Sequence, residues 1–314
     1  MENAISLVNV NKDYAGRRIL HQFSMHVRKG AIHGFLGPNG AGKTTTLKIL
    51  NQLLQLDSGD CHLSGVVGFL PEEAPLYKDM LVRDYLMFCY EIKTLNQLTK
   101  MEILEKVEDV INRCGLNHFE KRLIRHLSKG QKQKVGIAQA IVADADIIIL
   151  DEPMVGLDPI ALIELRQLLK SLVPEKTILL SSHQLHEVEL LCDEVTFIKD
   201  GRAIASGTLA QVQAQFSQWN RRKWIARVGD FSEQFKQELI DNKMISSLEY
   251  KTIINDPWAK FELEIFLANT ENNGFNLSRF LAQEKIGLIS FKEEEVDLET
   301  MFNYLNQTKA EECN

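Results

Sequence analysis

The chain has 314 residues, of which 45% are hydrophobic and 25% are charged, with 18 glycines and 7 prolines. This length predicts about two domains, and this composition excludes collagen-like, low-complexity and wholly disordered chains. The 36 basic and 43 acidic residues give a formal net charge of −7. We therefore expect no nucleic-acid partner, because phosphate contacts need lysine and arginine.

Cysteine usage and hydrophobicity both indicate the cytoplasm. The five cysteines are scattered and form no Cys-x-x-Cys pair, which disfavours a disulfide framework and a zinc knuckle. The N-terminus lacks the basic and apolar regions of a signal peptide. The densest apolar run, residues 147–150, is too short to cross a bilayer. If membranes matter to this protein, we expect a partner to provide the contact.

The first predicted elements are two strands and a helix. Alternation over residues 5–10 and an apolar stretch over residues 31–36 predict the strands. A glycine-rich turn follows, and then a predicted helix over residues 43–50. The order strand, glycine loop, helix is the context that a phosphate-binding loop requires.

The middle of the chain alternates helical segments with buried strands. Helical periodicity dominates residues 81–127, where Thr99 and Glu102 predict a capping box. The runs 147–150 and 177–180 are continuously apolar. Such strands are typical of a largely parallel sheet that is covered on both faces.

The character of the sequence changes near residue 211. Residues 211–218 are polar and show no apolar pattern, so no element is predicted there and the domain boundary is predicted at 212–220. The elements predicted beyond it are strands at 224–228, 245–254 and 261–267, and helices at 232–241, 277–285 and 298–305. This order predicts a small α+β domain.

Residues 37–44 match the phosphate-loop pattern Gly-x-x-x-x-Gly-Lys-Thr at every fixed position. Glycines let backbone N–H groups surround a phosphate, Lys43 reaches the β- and γ-phosphates, and the Thr44 hydroxyl ligates Mg²⁺. The alternative is a glycine-rich turn that merely precedes a helix, which the flanking elements disfavour. The nucleotide-binding residues predicted here are Gly37, Pro38, Asn39, Gly40, Ala41, Gly42, Lys43, Thr44 and Thr45.

Two carboxylates end the apolar run 147–150. Asp151 is placed to hold Mg²⁺ through its water shell, and Glu152 to act as the general base for an attacking water. Alone, this pattern would fit a strand end with solvated acids equally well. The phosphate loop upstream favours the catalytic interpretation.

Residues 127–131, Leu-Ser-Lys-Gly-Gln, closely resemble the signature sequence of ABC-transporter ATPases. In this family the signature contacts ATP held by the other subunit, a role that the resemblance gives to Ser128, Gly130 and Gln131. Further matching motifs lie at 11–16, 156–159 and 181–183. They imply that Tyr14 stacks on adenine, Asp158 crosses the dimer interface and His183 contacts the γ-phosphate.

The resemblance covers about residues 5–210 and implies an α/β fold, the P-loop NTPase ABC cassette. We expect this cassette over residues 1–211, with a mostly parallel sheet core, a small antiparallel β-subdomain and a helical subdomain at about 73–130. A small α+β C-terminal domain is predicted over residues 220–314.

Two residues depart from the family pattern. Glu72 replaces a glutamine that ligates Mg²⁺, and a carboxylate oxygen can keep that role. Lys129 replaces the first glycine of the signature. Residues 294–302, which end at Phe302, resemble the Leu-Glu-x-x-Phe closing helix of the subfamily whose ATPase and membrane subunits are separate chains.

The resemblance implies an ATPase that uses ATP and Mg²⁺, with Lys43, Glu152 and His183 as the catalytic residues. The implied partners are an integral membrane permease and a second ATPase subunit, in a homodimer or a heterodimer. We expect the protein on the cytoplasmic face of the membrane, in an export system. The helical subdomain is expected to receive the permease, although most of its aromatic residues, Tyr77, Tyr85, Phe88 and Tyr90, would form its own core.

Two alternatives belong to other classes. A soluble ABC ATPase acting on ribosomes or DNA is disfavoured by the single cassette and the acidic charge. A regulatory protein that no longer hydrolyses ATP would explain Glu72 and Lys129. The retained Lys43, Asp151 and His183 argue against it.

Overall fold

The computed structural model describes residues 2–14, 16–94, 99–219, 223–241, 245–254, 256–267, 273–283, 286–293, 298 and 302. The chain forms two compact units. The first comprises Met1–Val212 and Leu298–Asn314, and the second comprises Gln213–Asp297. In the described part of the chain, no helix is long and apolar enough to cross a membrane.

The first unit contains two sheets and the helices that cover them. Its strands are β1 (Asn3–Tyr14), β2 (Arg17–Arg28), β3 (Ile32–Leu36), β4 (Ser58–Leu63), β5 (Val67–Leu70), β6 (Ile147–Asp151), β7 (Thr177–Ser182), β8 (Glu194–Lys199) and β9 (Arg202–Thr208). Its helices are α1 (Lys43–Leu50), α2 (Val82–Thr94), α3 (Lys100–Arg113), α4 (Lys129–Ile141), α5 (Pro159–Leu172) and α6 (Leu185–Leu191).

The larger sheet has six strands in the order β5-β6-β7-β3-β8-β9. All neighbours are parallel except β8 and β9, which are antiparallel. The strands β3, β6 and β7 are buried along their whole length, which explains their continuously apolar sequences. The predicted α/β cassette with a mostly parallel core is therefore confirmed.

The smaller sheet is antiparallel, in the order β2-β1-β4. Its buried face packs against the large sheet and α1, and the rings of Phe23 and Phe35 lie 5.8 Å apart between centroids. This is the predicted antiparallel β-subdomain. The core that it shares with β3 fixes the start of the glycine loop that follows Leu36.

Helices α2, α3 and α4 form the helical part of the first unit, together with a short 3₁₀ helix at Ile124–His126. The predicted capping box of α3 is present, because Thr99 and Glu102 each accept a hydrogen bond from the other's backbone N–H. Tyr85 and Tyr90 are buried, as expected for core residues. Tyr77 is 54% exposed.

The second unit has the β-α-β-β-α-β order of a split β-α-β domain. Its elements are β10 (Lys223–Val228), α8 (Glu233–Asp241), β11 (Ile245–Thr252), β12 (Phe261–Leu267), α9 (Asn273–Gln283) and β13 (Leu288–Glu293). The sheet is antiparallel, in the order β11-β12-β10-β13. Apolar residues of the strands and of both helices form one core, including Phe235, Leu248, Leu263 and Leu281.

The helix α7 (Leu209–Trp219) covers residues 211–218, where the sequence showed no pattern and no element was predicted. Thr208 and Gln211 form a reciprocal cap at its start, with N···O distances of 2.9 and 3.2 Å. Val212, where the first unit ends, is fully buried. Polar residues separate the apolar positions of α7, so its helical periodicity was not recognised in the sequence.

Two further expectations concern the end of the chain. The strand β13 was not predicted, since its apolar positions do not alternate regularly. The last predicted helix, 298–305, lies outside the described residues except for Leu298 and Phe302, which group with the first unit. The division into a cassette at 1–211 and an accessory domain at 220–314 stays a prediction.

Candidate active site

A cavity of about 730 Å³ opens at the carboxyl ends of β3, β6 and β7. The glycine loop follows β3, Asp151 ends β6, and His183 follows β7. Ligands of parallel sheets bind at this edge because the connecting loops converge there. The fold therefore brings motifs that are far apart in sequence into one place.

The glycine loop turns through backbone conformations that only glycine adopts without strain. Gly40 has φ +81° and Gly42 has φ +112°. A Cβ on Gly42 would also lie 2.8 Å from the Leu20 side chain. Helix α1 begins directly after this glycine, with no side-chain cap and no acidic residue in its first turn. Its free N–H groups and positive dipole end are therefore available to an anion in the cavity.

Lys43 lies beneath this loop with its ammonium group held by carbonyl oxygens. Its Nζ donates to the Gly37 oxygen at 2.6 Å and to the Pro38 oxygen at 3.3 Å. Burial lowers the pKa of Lys43, and the negative charges of Glu152 and Asp151 oppose that shift. Carbonyl oxygens are weaker partners than phosphate oxygens, so this ammonium is suited to bind a phosphate.

Ser181 connects the two acidic residues at the end of β6. Its hydroxyl donates to Asp151 Oδ1 at 2.5 Å and accepts from the Glu152 N–H at 2.9 Å. Burial raises the pKa of Asp151, and the hydrogen bond from Ser181 opposes that rise. The serine thus fixes the Asp151 carboxylate and favours its ionised form.

Glu152 adopts a left-handed backbone conformation with φ +49°. This conformation is strained for a residue with a side chain, and such strain is found where the surrounding structure holds a functional group in place. The Glu152 Oε2 atom lies 2.9 Å from His183 Nδ1 and accepts from the His183 N–H at 3.4 Å. The side chains of Glu152 and His183 are therefore hydrogen-bonded to each other at the cavity wall.

Twelve of the predicted residues line this cavity. They are Gly37, Pro38, Asn39, Gly40, Gly42, Lys43, Thr44, Thr45, Glu72, Asp151, Glu152 and His183. Ala41 is buried within the loop instead, where its N–H donates to the Pro38 oxygen and its oxygen accepts from the Gly201 N–H.

Five predicted residues besides Ala41 do not line the cavity. Tyr14, at the end of β1, is 65% exposed. Ser128 and Gln131 form the capping box of α4, and Asp158 caps α5 by accepting from the Ala161 N–H at 2.9 Å. Gly130 approaches α5 closely, since a Cβ on it would lie 2.8 Å from that of Ala161.

Three residues of the site escaped the sequence analysis. Ile19 and Phe302 line the cavity, and Ser181 positions the two acids. Phe302 stands out in the sequence as the end of a closing motif, but nothing there connects it with the glycine loop. Ser181 precedes His183 in its motif, and its role depends on the pairing of β6 with β7.

The oxygen donors at the cavity suit a magnesium ion. Over the described ranges, no three histidine, cysteine, aspartate or glutamate side chains form a group that could hold a metal by themselves. The cavity offers the Thr44 hydroxyl and the carboxylates of Glu72 and Asp151. Magnesium usually binds through one or two carboxylates, with substrate phosphates and water as its other ligands.

The parallel sheet, the glycine loop and the acidic strand end define a P-loop nucleoside triphosphatase. Residues 20–155 match the family model of the ABC transporter. An uncharacterized ABC transporter ATP-binding protein of Methanocaldococcus jannaschii is 38% identical over 213 residues, covering 68% of this chain and 80% of that protein. The uncharacterized ABC transporter ATP-binding protein YxlF of Bacillus subtilis is 30% identical over 289 residues, which cover 88% of this chain and 94% of that protein.

The lantibiotic transport ATP-binding protein SrtF of Streptococcus pyogenes is 37% identical over 64% of this chain and 89% of its own. Among solved structures, an ATP-binding subunit of an ABC transporter is 27% identical with a TM-score of 0.59, over 68% of this chain and 93% of that one. CbiO1 of Clostridium perfringens, part of the transporter complex cbiONQ, is 25% identical with a TM-score of 0.59, over 69% and 96%.

The chain belongs to the ABC transporter ATP-binding proteins. It is the ATPase subunit that drives such a transporter.

Proposed function

We propose that this chain and a second ATPase subunit, identical or different, close around two ATP molecules and thereby drive a separate membrane permease. Each ATP would bind the phosphate loop of one subunit, and Ser128 and Gly130 of the other subunit would complete its binding site. The observation that supports this most directly is that Lys43, Glu152 and His183 line the same cavity.

The residues outside the cavity support the two-subunit arrangement. Ser128 and Asp158 cap two helices whose N-termini lie close together, where Gly130 meets Ala161. Neither cap residue lines the chain's own cavity. This is expected if both serve the ATP of a second subunit, because a site shared between two chains couples ATP binding to their closure.

Within the cavity, we assign Glu152 as the general base. Its carboxylate would accept a proton from the water that attacks the terminal phosphate. His183, 2.9 Å from that carboxylate, would orient it and contact the same phosphate. Lys43 would exchange its two carbonyl partners for phosphate oxygens. Thr44, Glu72 and Asp151 would hold Mg²⁺, which would neutralise phosphate charge when bound.

A membrane permease is the partner that the helical part of the first unit best fits. The exposed Tyr77 ring lies 5.4 Å from Phe88 and 5.9 Å from Tyr85 between centroids. Such an amphipathic aromatic group is typical of protein interfaces. SrtF is named for lantibiotic transport and cbiO1 for a transporter complex, and the closing motif at 294–302 resembles export systems. We therefore propose export, with the protein peripheral on the cytoplasmic face.

ATP binding and phosphate release, measured on the protein alone and with its permease, test this function. In Lys43→Ala we expect ATP affinity to fall by at least tenfold and hydrolysis to be lost, because the cavity then lacks its buried ammonium. Lys170→Ala, at an exposed position of α5 outside the cavity lining, is the matched control and should retain both. Unchanged ATP affinity in Lys43→Ala would contradict the assignment.

A further inference from the structure

Two segments of the first unit run side by side at the edge of the sheet where the cavity opens. One runs from β6 through Glu152 into α5, and the other runs from β7 through His183 into α6. The contact between Glu152 Oε2 and His183 Nδ1, at 2.9 Å, joins the two segments at the strand ends. The His183 side chain is 55% exposed, so packing around the ring contributes little to its position. The backbone that follows His183 must therefore keep it beside Glu152.

A second contact joins the same two segments, between the helices α5 and α6. Arg166 Nε on α5 lies 3.3 Å from Glu187 Oε2 on α6. Both atoms are buried, and neither makes a hydrogen bond to any described residue, so their opposite charges hold them together. Separating them would leave two charged atoms away from water without a partner, which costs free energy.

Backbone hydrogen bonds connect Glu187 to His183. Gln184, the residue after His183, donates its N–H to the Ser182 hydroxyl at 3.0 Å. The Gln184 carbonyl oxygen accepts from the Glu187 N–H at 3.2 Å, and Glu187 lies in the first turn of α6. A shift of Glu187 would therefore move the backbone next to His183.

Apolar packing alone does not fix the direction of α6. Leu185, Val188 and Leu191 are buried, but the hydrophobic effect that holds them is non-directional. The Leu298 N–H donates to Glu189 Oε1 at 2.8 Å, which joins α6 to the end of the chain. The pair of Arg166 with Glu187 is thus the polar contact that holds α6 towards α5.

We propose that Arg166 and Glu187 are positioning residues, which hold α6 beside α5 so that His183 stays within hydrogen-bond distance of Glu152. This inference rests on the proposed function, in which Glu152 is the general base and His183 orients it. Neither Arg166 nor Glu187 lines the cavity, so neither is placed to touch ATP. The pair should therefore influence the rate of hydrolysis and leave ATP binding to the phosphate loop.

Equilibrium ATP binding and the maximal rate of phosphate release, kcat, test this inference on the full-length protein. Arg166→Met and Glu187→Gln each remove one charge and keep a side chain of similar length. In both we expect kcat to fall by about tenfold, because a small displacement of a positioned group slows the chemical step, with the Kd for ATP unchanged. Arg166→Lys keeps the charge and should restore kcat to near the wild-type value. Arg113→Met, which breaks an ion pair with Glu175 elsewhere in the first unit, is the matched control and should change neither quantity.

A second measurement distinguishes positioning of His183 from a general loss of structure. If the ion pair acts through His183, adding Arg166→Met to His183→Ala should not lower the residual kcat further. An equal loss in both backgrounds would overturn the inference, and so would an unchanged kcat or a matching loss of ATP affinity in Arg166→Met. By contrast, wild-type hydrolysis in His183→Ala, or a wild-type protein that binds no ATP, would refute the proposed function itself.

Discussion

Ser181 holds the two acids of the site in different ways. Its hydroxyl donates to the carboxylate of Asp151 and accepts from the backbone N–H of Glu152. The first contact opposes the effect of burial, which raises the pKa of Asp151. The second stabilises the backbone where Glu152 adopts its left-handed conformation. One buried hydroxyl therefore contacts both the proposed metal ligand and the proposed general base.

The charge of Asp151 leads to a prediction for Ser181→Ala. Asp151 must be ionised to bind a metal, and its ionised form is lost as the pH falls through its raised pKa. Removing the serine donor raises this pKa further. We therefore expect the acid limb of the pH–rate profile of Mg²⁺-dependent ATP hydrolysis to move to higher pH.

The neighbouring Ser182 supplies a matched control for this profile. It is also buried, but its hydroxyl accepts from the Gln184 N–H and Asp151 is not its partner. Ser182→Ala should keep the wild-type acid limb. An acid limb that stays in place, or moves to lower pH, in Ser181→Ala would show that Ser181 does not control Asp151.

At the scale of single residues, the glycine loop and the acids that the sequence singled out lie in one cavity, because each motif contains its own chemistry. Lys43, Thr44 and Asp151 lie in the cavity as their spacing within strand, loop and helix requires. Ile19 and Phe302 were missed because they approach the loop only through the tertiary fold. A local motif cannot reveal a neighbour that comes from a distant part of the chain.

At the scale of elements, the same kind of capping box begins two different helices, α3 and α4. Thr99 caps α3 and Ser128 caps α4, and each forms a reciprocal pair with a residue three positions on. The first cap contains no predicted site residue. The second belongs to the signature sequence, which we assign to the ATP of the other subunit.

The two caps therefore predict different outcomes for the same kind of substitution. Thr99→Ala and Ser128→Ala should each lower the free energy of unfolding by about 1 kcal/mol, because a helix N–H loses its acceptor. For a protein of this size, such a loss lowers Tm by roughly 2–4 °C. Only Ser128→Ala should also reduce ATP hydrolysis. Thermal denaturation and phosphate release on both variants check this, and equal hydrolysis in the two would contradict the assignment of Ser128.

The elements predicted most accurately are those with a strong period or an explicit cap. The bounds of α1 and β12 agree with the sequence prediction, and the cap of α3 is the predicted one. The helix α7 was missed because glutamine and alanine separate its apolar positions. The strand β13 was missed because a register shift interrupts its pairing with β10, so its sequence lacks a clean alternation.

At the scale of the whole molecule, the second unit is part of what this chain shares with a relative. YxlF matches over 289 residues, 88% of this chain, so the similarity extends beyond the 212 residues that begin the first unit. The sequence predicted a small α+β domain there, and the observed β-α-β-β-α-β order identifies it as a split β-α-β domain. It did not predict that the end of the chain groups with the first unit, because that depends on contacts such as the one between Leu298 and Glu189.

The central claim is that two subunits close around ATP and that Glu152 then activates water. Glu152→Gln keeps the shape of the side chain but removes its basicity, so ATP should bind without being hydrolysed. We expect this variant, with ATP and Mg²⁺, to sediment as a dimer of roughly twice the 35.8 kDa of one chain, and as a monomer without ATP. Asp241→Asn, at an exposed acid of α8, is the control and should hydrolyse ATP normally.

Sedimentation velocity of Glu152→Gln with and without ATP is thus the most direct test. An ATP-dependent dimer that releases no phosphate would agree with the account. A variant that hydrolyses ATP at the wild-type rate would contradict it, and so would one that stays monomeric at saturating ATP both alone and when mixed with a different ATPase subunit of its transporter.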